Sequence, residues 1–298
     1  MTDFQAADIL TAIITPFTAD DKIDYSGLQD LTEHLLKTGS RGFVIGGTTG
    51  EGATLTHAEK LELYEKFAEI VQGRVPVIAG TGSNNTAQTV SFTKEVSNIK
   101  GIDLALVVAP YYNKPDQRGI KAHFKAITDE CDLPLMIYNI PGRTGITISN
   151  ETIIELAQNP LIKGVKQCTS LEDLAELIEK TPDDFLVYTG EDPQSLAAKS
   201  IGAKGVISVA SHVYGEQMRK MYDTLADGRA DWAGAIQRDL ILKMQGLFLY
   251  PSPSPVKAVL NAQGFASGGC RLPIVDLAEN EIEQLARALG VKELKEIK

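Results

Sequence analysis

No stretch of the 298-residue chain approaches the ~18 consecutive apolar residues of a membrane-spanning helix. Positive charge is also short: 29 Lys and Arg stand against 39 Asp and Glu, a net charge of −10. An acidic surface repels phosphate backbones and anionic lipid, so nucleic acid and membrane surfaces are not expected partners. By the same argument, an anionic substrate needs a locally built site. The only cysteines, Cys131, Cys168 and Cys270, are odd in number and widely spaced, matching no disulfide or metal-ligand pattern. They suit a reducing cytoplasm and are expected to be buried small hydrophobes. The four histidines, His34, His57, His123 and His212, are scattered without zinc spacing, so no metal is expected and each should be a surface or supporting residue. There is no Gly-x-Ser-x-Gly elbow and no Lys-Ser/Thr phosphate loop. Met1-Thr2-Asp3-Phe4 lacks the basic start and apolar run of an export signal.

Short apolar runs recur at 9–15, 42–46, 75–79, 103–109, 134–139, 162–166, 185–189 and 205–209. Each is rich in Val, Ile or Leu and bounded by Gly or Pro, the signature of a strand buried on both faces. Amphipathic segments lie between them. Thr56-His57-Ala58-Glu59, for instance, is a capping box opening a helix that Gly73 closes. Strands alternating with helices imply parallel βαβ units, in either a closed barrel or a doubly wound open sheet. The count of eight and the even spacing favour a (β/α)8 TIM barrel over residues 1–226. Beyond it the pattern is helical only, at 232–248, 255–263 and 279–289. Residues 227–298 therefore read as a C-terminal helical appendage, with Pro251, Pro253 and Pro255 as a stiff connection.

Active sites of such barrels lie at the C-terminal strand ends. Polar residues cluster there: Gly46-Gly47-Thr48-Thr49-Gly50-Glu51-Gly52, Pro110-Tyr111-Tyr112-Asn113, Tyr138-Asn139 and Lys166. Period-2 alternation puts Ile162, Gly164 and Lys166 on one face. If that face is the interior, burial should depress the Lys166 pKa and leave a neutral amine able to attack a ketone. A lysine snorkelling from the strand end fits the pattern equally well. Lys163 has opposite parity. Tyr138 and Thr48, at neighbouring rim positions, are candidate proton-relay groups, though each alone also fits a core-edge tyrosine or a turn threonine. The glycine-rich turn is an anion nest suited to a carboxylate held by Thr48 and Thr49. Arg143 suits bidentate carboxylate recognition, but equally a solvated loop.

Together, Gly47-Thr48-Thr49-Gly50-Glu51, Ala79-Gly80-Thr81-Gly82, Pro110-Tyr111-Tyr112-Asn113, Tyr138-Asn139-x-Pro141-x-Arg143-Thr144-Gly145, Gly164-Val165-Lys166 and Gly205-Val206-Ile207-Ser208-Val209 make the chain resemble the dihydrodipicolinate synthase and N-acetylneuraminate lyase family. Each motif alone is weak, but six in order are specific. The resemblance implies an imine between Lys166 and pyruvate as the covalent intermediate, with no cofactor. It implies a relay of Thr48, Tyr138 and Tyr112, the last lent by a neighbouring subunit, and hence a homotetramer of paired dimers. Thr49 would hold the pyruvate carboxylate, while Gly190 and Ile207 line the pocket. Arg143 favours the branch that joins pyruvate to L-aspartate-4-semialdehyde over relatives that cleave N-acetylneuraminate or sugar-derived keto acids, whose substrates present hydroxyls there. A non-catalytic keto-acid-binding barrel would tend to lose Lys166 or Tyr138. The cleft that binds lysine in feedback-inhibited members matches Gly52, Ala53, His57, Lys60, Asn84, Gln88 and Tyr111. Lys60 and Gln88 stand where those members have histidine and glutamate, so weak or absent lysine inhibition is expected.

Overall fold

The computed structural model describes residues 4–297, so the sequence reading of Met1-Thr2-Asp3 lies outside the described residues. Eight strands form one closed parallel barrel in sequence order. They are β1 (Ile9–Ala12), β2 (Phe43–Ile45), β3 (Val77–Gly80), β4 (Leu104–Val108), β5 (Leu135–Asn139), β6 (Ile162–Gln167), β7 (Leu186–Thr189) and β8 (Gly205–Ser208). Each falls on one of the eight apolar runs, and β8 pairs back with β1, which decides for the barrel over the open sheet. Helices α1 (Tyr25–Lys37), α2 (His57–Val71), α3 (Thr86–Val96) and α4 (Gln117–Thr128) follow the first four strands. Short α5 (Pro141–Thr144) and α6 (Asn150–Leu156) follow β5, and α7 (Leu171–Lys180), α8 (Ser195–Ser200) and α9 (Ser211–Ala226) follow the last three. Three more helices complete the described chain: α10 (Ala230–Gly246), α11 (Ser254–Ala262) and α12 (Glu279–Ala288).

Strand alternation divides the core into two layers. Leu10, Val44, Ile78, Leu106, Met136, Tyr138, Tyr188 and Ile207 fill the barrel interior. Ile9, Phe43, Val77, Ala105, Ile137, Val165 and Val187 face the helices. Strand β6 departs from simple alternation. Ile162 belongs to the outer layer, yet so does Val165, three residues on. The register against β5 slips here, with Leu135 opposite Ile162 but Met136 opposite Gly164. The irregularity corrects the expectation that Ile162 shares the face of Gly164 and Lys166, because the inserted residue resets the parity. Lys163, at the slip, turns outward to an ion pair with Asp184 at 3.0 Å. Gly164 is glycine for a packing reason: a Cβ there would lie 2.5 Å from the Leu186 carbonyl oxygen on β7.

Candidate active site

Lys166 ends up inside. It stands opposite Tyr138 on β5 and Tyr188 on β7, and is buried at 7% exposure. Its ammonium nitrogen lies 4.5 Å from the centre of the Tyr138 ring. Burial by itself lowers its pKa, but Tyr138, Cys168 and Asp192 outweigh it, and the balance lies above the usual lysine value. The expectation of a depressed pKa is thereby corrected. The surroundings that favour the charged amine also favour a cationic iminium at the same nitrogen. Asp192 follows β7 in a short 3-10 turn and is fully buried. Its carboxylate accepts from the Ser208 hydroxyl and from the amides of Val209 (3.0 Å) and Ala210 (2.9 Å). Burial raises its pKa, and these hydrogen bonds pull the other way.

Gly190 gives the lysine its room. A Cβ at this position would collide with the Cys168 sulfur and lie 2.7 Å from Lys166 Cε. Cys168 is half-buried beside the lysine, not a plain core residue as expected, and burial pushes its thiol up to about 12. Glu191 hydrogen-bonds Cys168 and is raised mainly by burial, with Lys166 and Arg143 opposing. Arg143 is exposed on α5 and acts electrostatically on both Cys168 and Glu191, so it belongs to the same mouth. Ile207 faces the barrel interior from β8. Asn139 fixes the end of β5 through the Ile148 carbonyl (2.9 Å), the Ile148 amide (3.0 Å) and Gln167 (3.0 Å).

The turn after β2 carries Thr48 on its exposed side and Thr49 buried. Its own hydrogen bonds run from the Glu51 amide to the Thr48 carbonyl (3.0 Å) and from the Gly52 amide to Gly47 (3.1 Å). Gly46 adopts φ +65°, and a Cβ on Gly80 would lie 2.5 Å from its carbonyl oxygen, so the turn is seated tightly on β3. Thr48 follows β2 and Tyr138 lies near the end of β5, so the two enter the same barrel mouth from strands three positions apart. Tyr112, in a left-handed conformation at φ 72°, is 87% exposed and is not drawn into its own chain's site.

The remaining candidates lie around the start of α2 and α3. His57 pairs with Glu95 at 2.8 Å, and Lys60 lies 5.7 Å from the Phe92 ring centre, its pKa lowered by burial. The Asn84 carbonyl accepts from Asn113 at 2.9 Å, and Gln88 and Tyr111 are exposed. Gly52 is buried and Ala53 exposed. Of the surface or supporting positions expected for the histidines, His123 and His212 take buried ones, and burial lowers both to about 4. Asp192, Glu191 and Cys168 were missed by sequence reasoning. The one available signal was a pair of acids following a glycine at a strand end.

Comparison with known proteins agrees with this geometry. The model of the Dihydrodipicolinate synthetase family matches residues 5–292. The 4-hydroxy-tetrahydrodipicolinate synthase of Limosilactobacillus reuteri is 60% identical over 291 residues, covering 98% of this chain and 95% of that protein. A crystal structure of dihydrodipicolinate synthase from Bacillus anthracis superposes with TM-score 0.94 at 42% identity, over 97% of this chain and 99% of that one. The enzyme from Cyanidioschyzon merolae, solved with lysine bound, gives TM-score 0.90 at 39% identity, over 96% and 99%. With a lysine sealed in a closed parallel barrel and similarity running from end to end, this chain belongs to the dihydrodipicolinate synthetase family.

Proposed function

We propose that the chain condenses pyruvate with L-aspartate-4-semialdehyde to 4-hydroxy-tetrahydrodipicolinate, the committed step toward diaminopimelate and lysine. The observation that carries this reading is Lys166 held inside the barrel against Tyr138, with Gly190 leaving its path clear. Lys166 gives up a proton and attacks the pyruvate ketone carbon, and loss of water leaves an iminium. The iminium withdraws electrons, so the methyl group loses a proton and becomes an enamine carbon. That carbon bonds to the semialdehyde carbonyl carbon, whose oxygen takes up a proton. The substrate amine then displaces Lys166 as the ring closes. The iminium is the electron sink, so no cofactor is required. Tyr138, Thr48 and a Tyr112 from a second subunit relay the protons. Thr49 holds the pyruvate carboxylate, Arg143 that of the semialdehyde, and Gly190 and Ile207 shape the pocket. Tyr112, exposed and without a role in its own chain's mouth, favours a homotetramer of paired dimers.

The further parts of the reading are a barrel over 1–226, a helical region over 227–298, a cytoplasmic setting, and a cleft at Gly52, Ala53, His57, Lys60, Asn84, Gln88 and Tyr111 that binds lysine weakly or not at all. No described helix is long and apolar enough to cross a membrane. The test is borohydride reduction with pyruvate followed by peptide mass spectrometry. The adduct is expected on Lys166 and not on Lys163, whose ammonium is paired with Asp184 outside the barrel. A substrate panel completes it: consumption of aspartate semialdehyde with pyruvate supports the synthase. Cleavage of N-acetylneuraminate or another sugar acid instead would overturn it.

A further inference from the structure

A second buried lysine lies where the C-terminal helices meet the pyruvate turn. Glu51 closes that turn, two residues after Thr49, and adopts φ 54°, a left-handed conformation unfavourable to any residue but glycine. Such a conformation costs a non-glycine residue about 1–2 kcal/mol, which a buried site offsets where its surroundings hold the residue. Here they do. One carboxylate oxygen accepts the Arg271 amide at 2.8 Å, and the other lies 2.6 Å from the ammonium of Lys257 on α11. Lys257 also donates to the Gly269 carbonyl at 2.6 Å and packs 4.3 Å from the centre of the Phe17 ring. Arg271 packs on the same ring at 4.4 Å and grips Glu59 at 2.7 and 3.0 Å. From the other side, the Thr15 hydroxyl donates to the Gly50 carbonyl at 2.6 Å.

The Lys257 and Glu51 side chains are each 2% exposed. Desolvating two charges largely cancels their attraction, and apolar replacements of such pairs are often as stable. Stability alone therefore gives no reason to keep this one. What it does supply is a fixed location for a turn with no regular structure of its own.

We propose that Lys257 is a positioning residue for the reaction: through Glu51 it fixes the turn that presents Thr49 to the pyruvate carboxylate. The inference rests on the reading of that turn as the pyruvate site. It makes the C-terminal helices part of the substrate-binding apparatus.

The test follows borohydride trapping on the full chain at graded pyruvate, alongside the semialdehyde KM and the melting temperature. In Lys257→Met, and in the double variant Glu51→Gln/Lys257→Met, half-saturating pyruvate is expected to rise about tenfold, while the semialdehyde KM stays within about twofold. The double variant leaves no buried charge unpaired, so it regains the melting temperature but not the pyruvate affinity. A double variant that regains both overturns the inference. So does a folded Lys257→Met protein with unchanged half-saturation. If the unsubstituted protein traps no adduct on Lys166, the proposed function fails first and takes this inference with it.

Discussion

Among the described residues two lysines are buried, and they are held differently. Lys257 is locked by a carboxylate, a carbonyl and an aromatic ring. Lys166 has the Tyr138 ring and the field of Asp192, whose carboxylate is already committed to Ser208, Val209 and Ala210. Among the described residues it forms no ion pair. Lys166 can lose its proton and become an imine without stranding a bare carboxylate, whereas Lys257 cannot. Burial is common to both, so on the proposed reading the partner, not the burial, separates a nucleophile from a strut.

The largest effect that tests this contrast comes from removing each charge. Lys166→Met should lower turnover by about 10⁴-fold or more, as loss of a covalent nucleophile does. Its melting temperature should fall less than that of Lys257→Met, because no ion pair is broken. Lys257→Met should stay catalytic at saturating pyruvate yet lose about 3–5 kcal/mol of stability, the cost of isolating Glu51. Kinetics and thermal denaturation on both variants decide it, and a reversed pattern of stabilities would sink the comparison. The pH dependence sharpens it. Lys166 sits above its ordinary pKa, so its charge contributes stability at neutral pH that is lost only as pH rises through that raised value. The reactive amine is a minor form at pH 7. The initial rate of imine trapping should therefore climb from pH 7 to 9 without a plateau, which a depressed pKa would produce.

A smaller effect concerns room rather than charge. An added methyl group at Gly190 meets Lys166 Cε at 2.7 Å. Gly190→Ala should slow adduct formation by about 10²-fold, since an ångström of misplacement is enough. Gly142, beside Arg143 in the same mouth, has nothing within 4 Å of a built Cβ. Gly142→Ala should leave trapping within about twofold, as expected for a surface substitution. Equal losses at both glycines would mean that general loosening, and not the path of Lys166, governs the rate.

The barrel was legible because parallel strands covered on both sides read as short Val-, Ile- and Leu-rich runs between breakers. The run at 9–15 gave Ile9–Ala12 and that at 42–46 gave Phe43–Ile45, with the surplus residues in loops. The slip at Ile162–Lys163 was hidden, since an inserted residue leaves composition unchanged and shows only in the register. Lysine at position 166 was visible, but the sign of its pKa shift was not. Tyr138 and Asp192 oppose the burial, and their approach depends on three strands meeting. Lys257 stands out within Pro255-Val256-Lys257-Ala258-Val259-Leu260 as one charge in an apolar turn. Its partner Glu51 lies in the loop after β2, beyond the reach of any local pattern.

The smallest expected effect falls on a third lysine. Lys60, in the first turns of α2, is half-buried near the Phe92 ring, and burial disfavours its charge. A ligand ammonium entering here meets a cation, and neither His57, already paired with Glu95, nor neutral Gln88 offers a free carboxylate. Two like charges at about 4 Å repel by roughly 1 kcal/mol in water and about 4 near a protein surface, enough to cancel a modest binding energy. Millimolar lysine should accordingly change the steady-state rate by less than about twofold. Lys60→His with Gln88→Glu removes the repulsion and restores a carboxylate, so inhibition should appear in that double variant. Strong inhibition of the unsubstituted protein would mean that Lys60 swings away from the cleft, and that an unlocked lysine near a ring can yield its place as well as its proton.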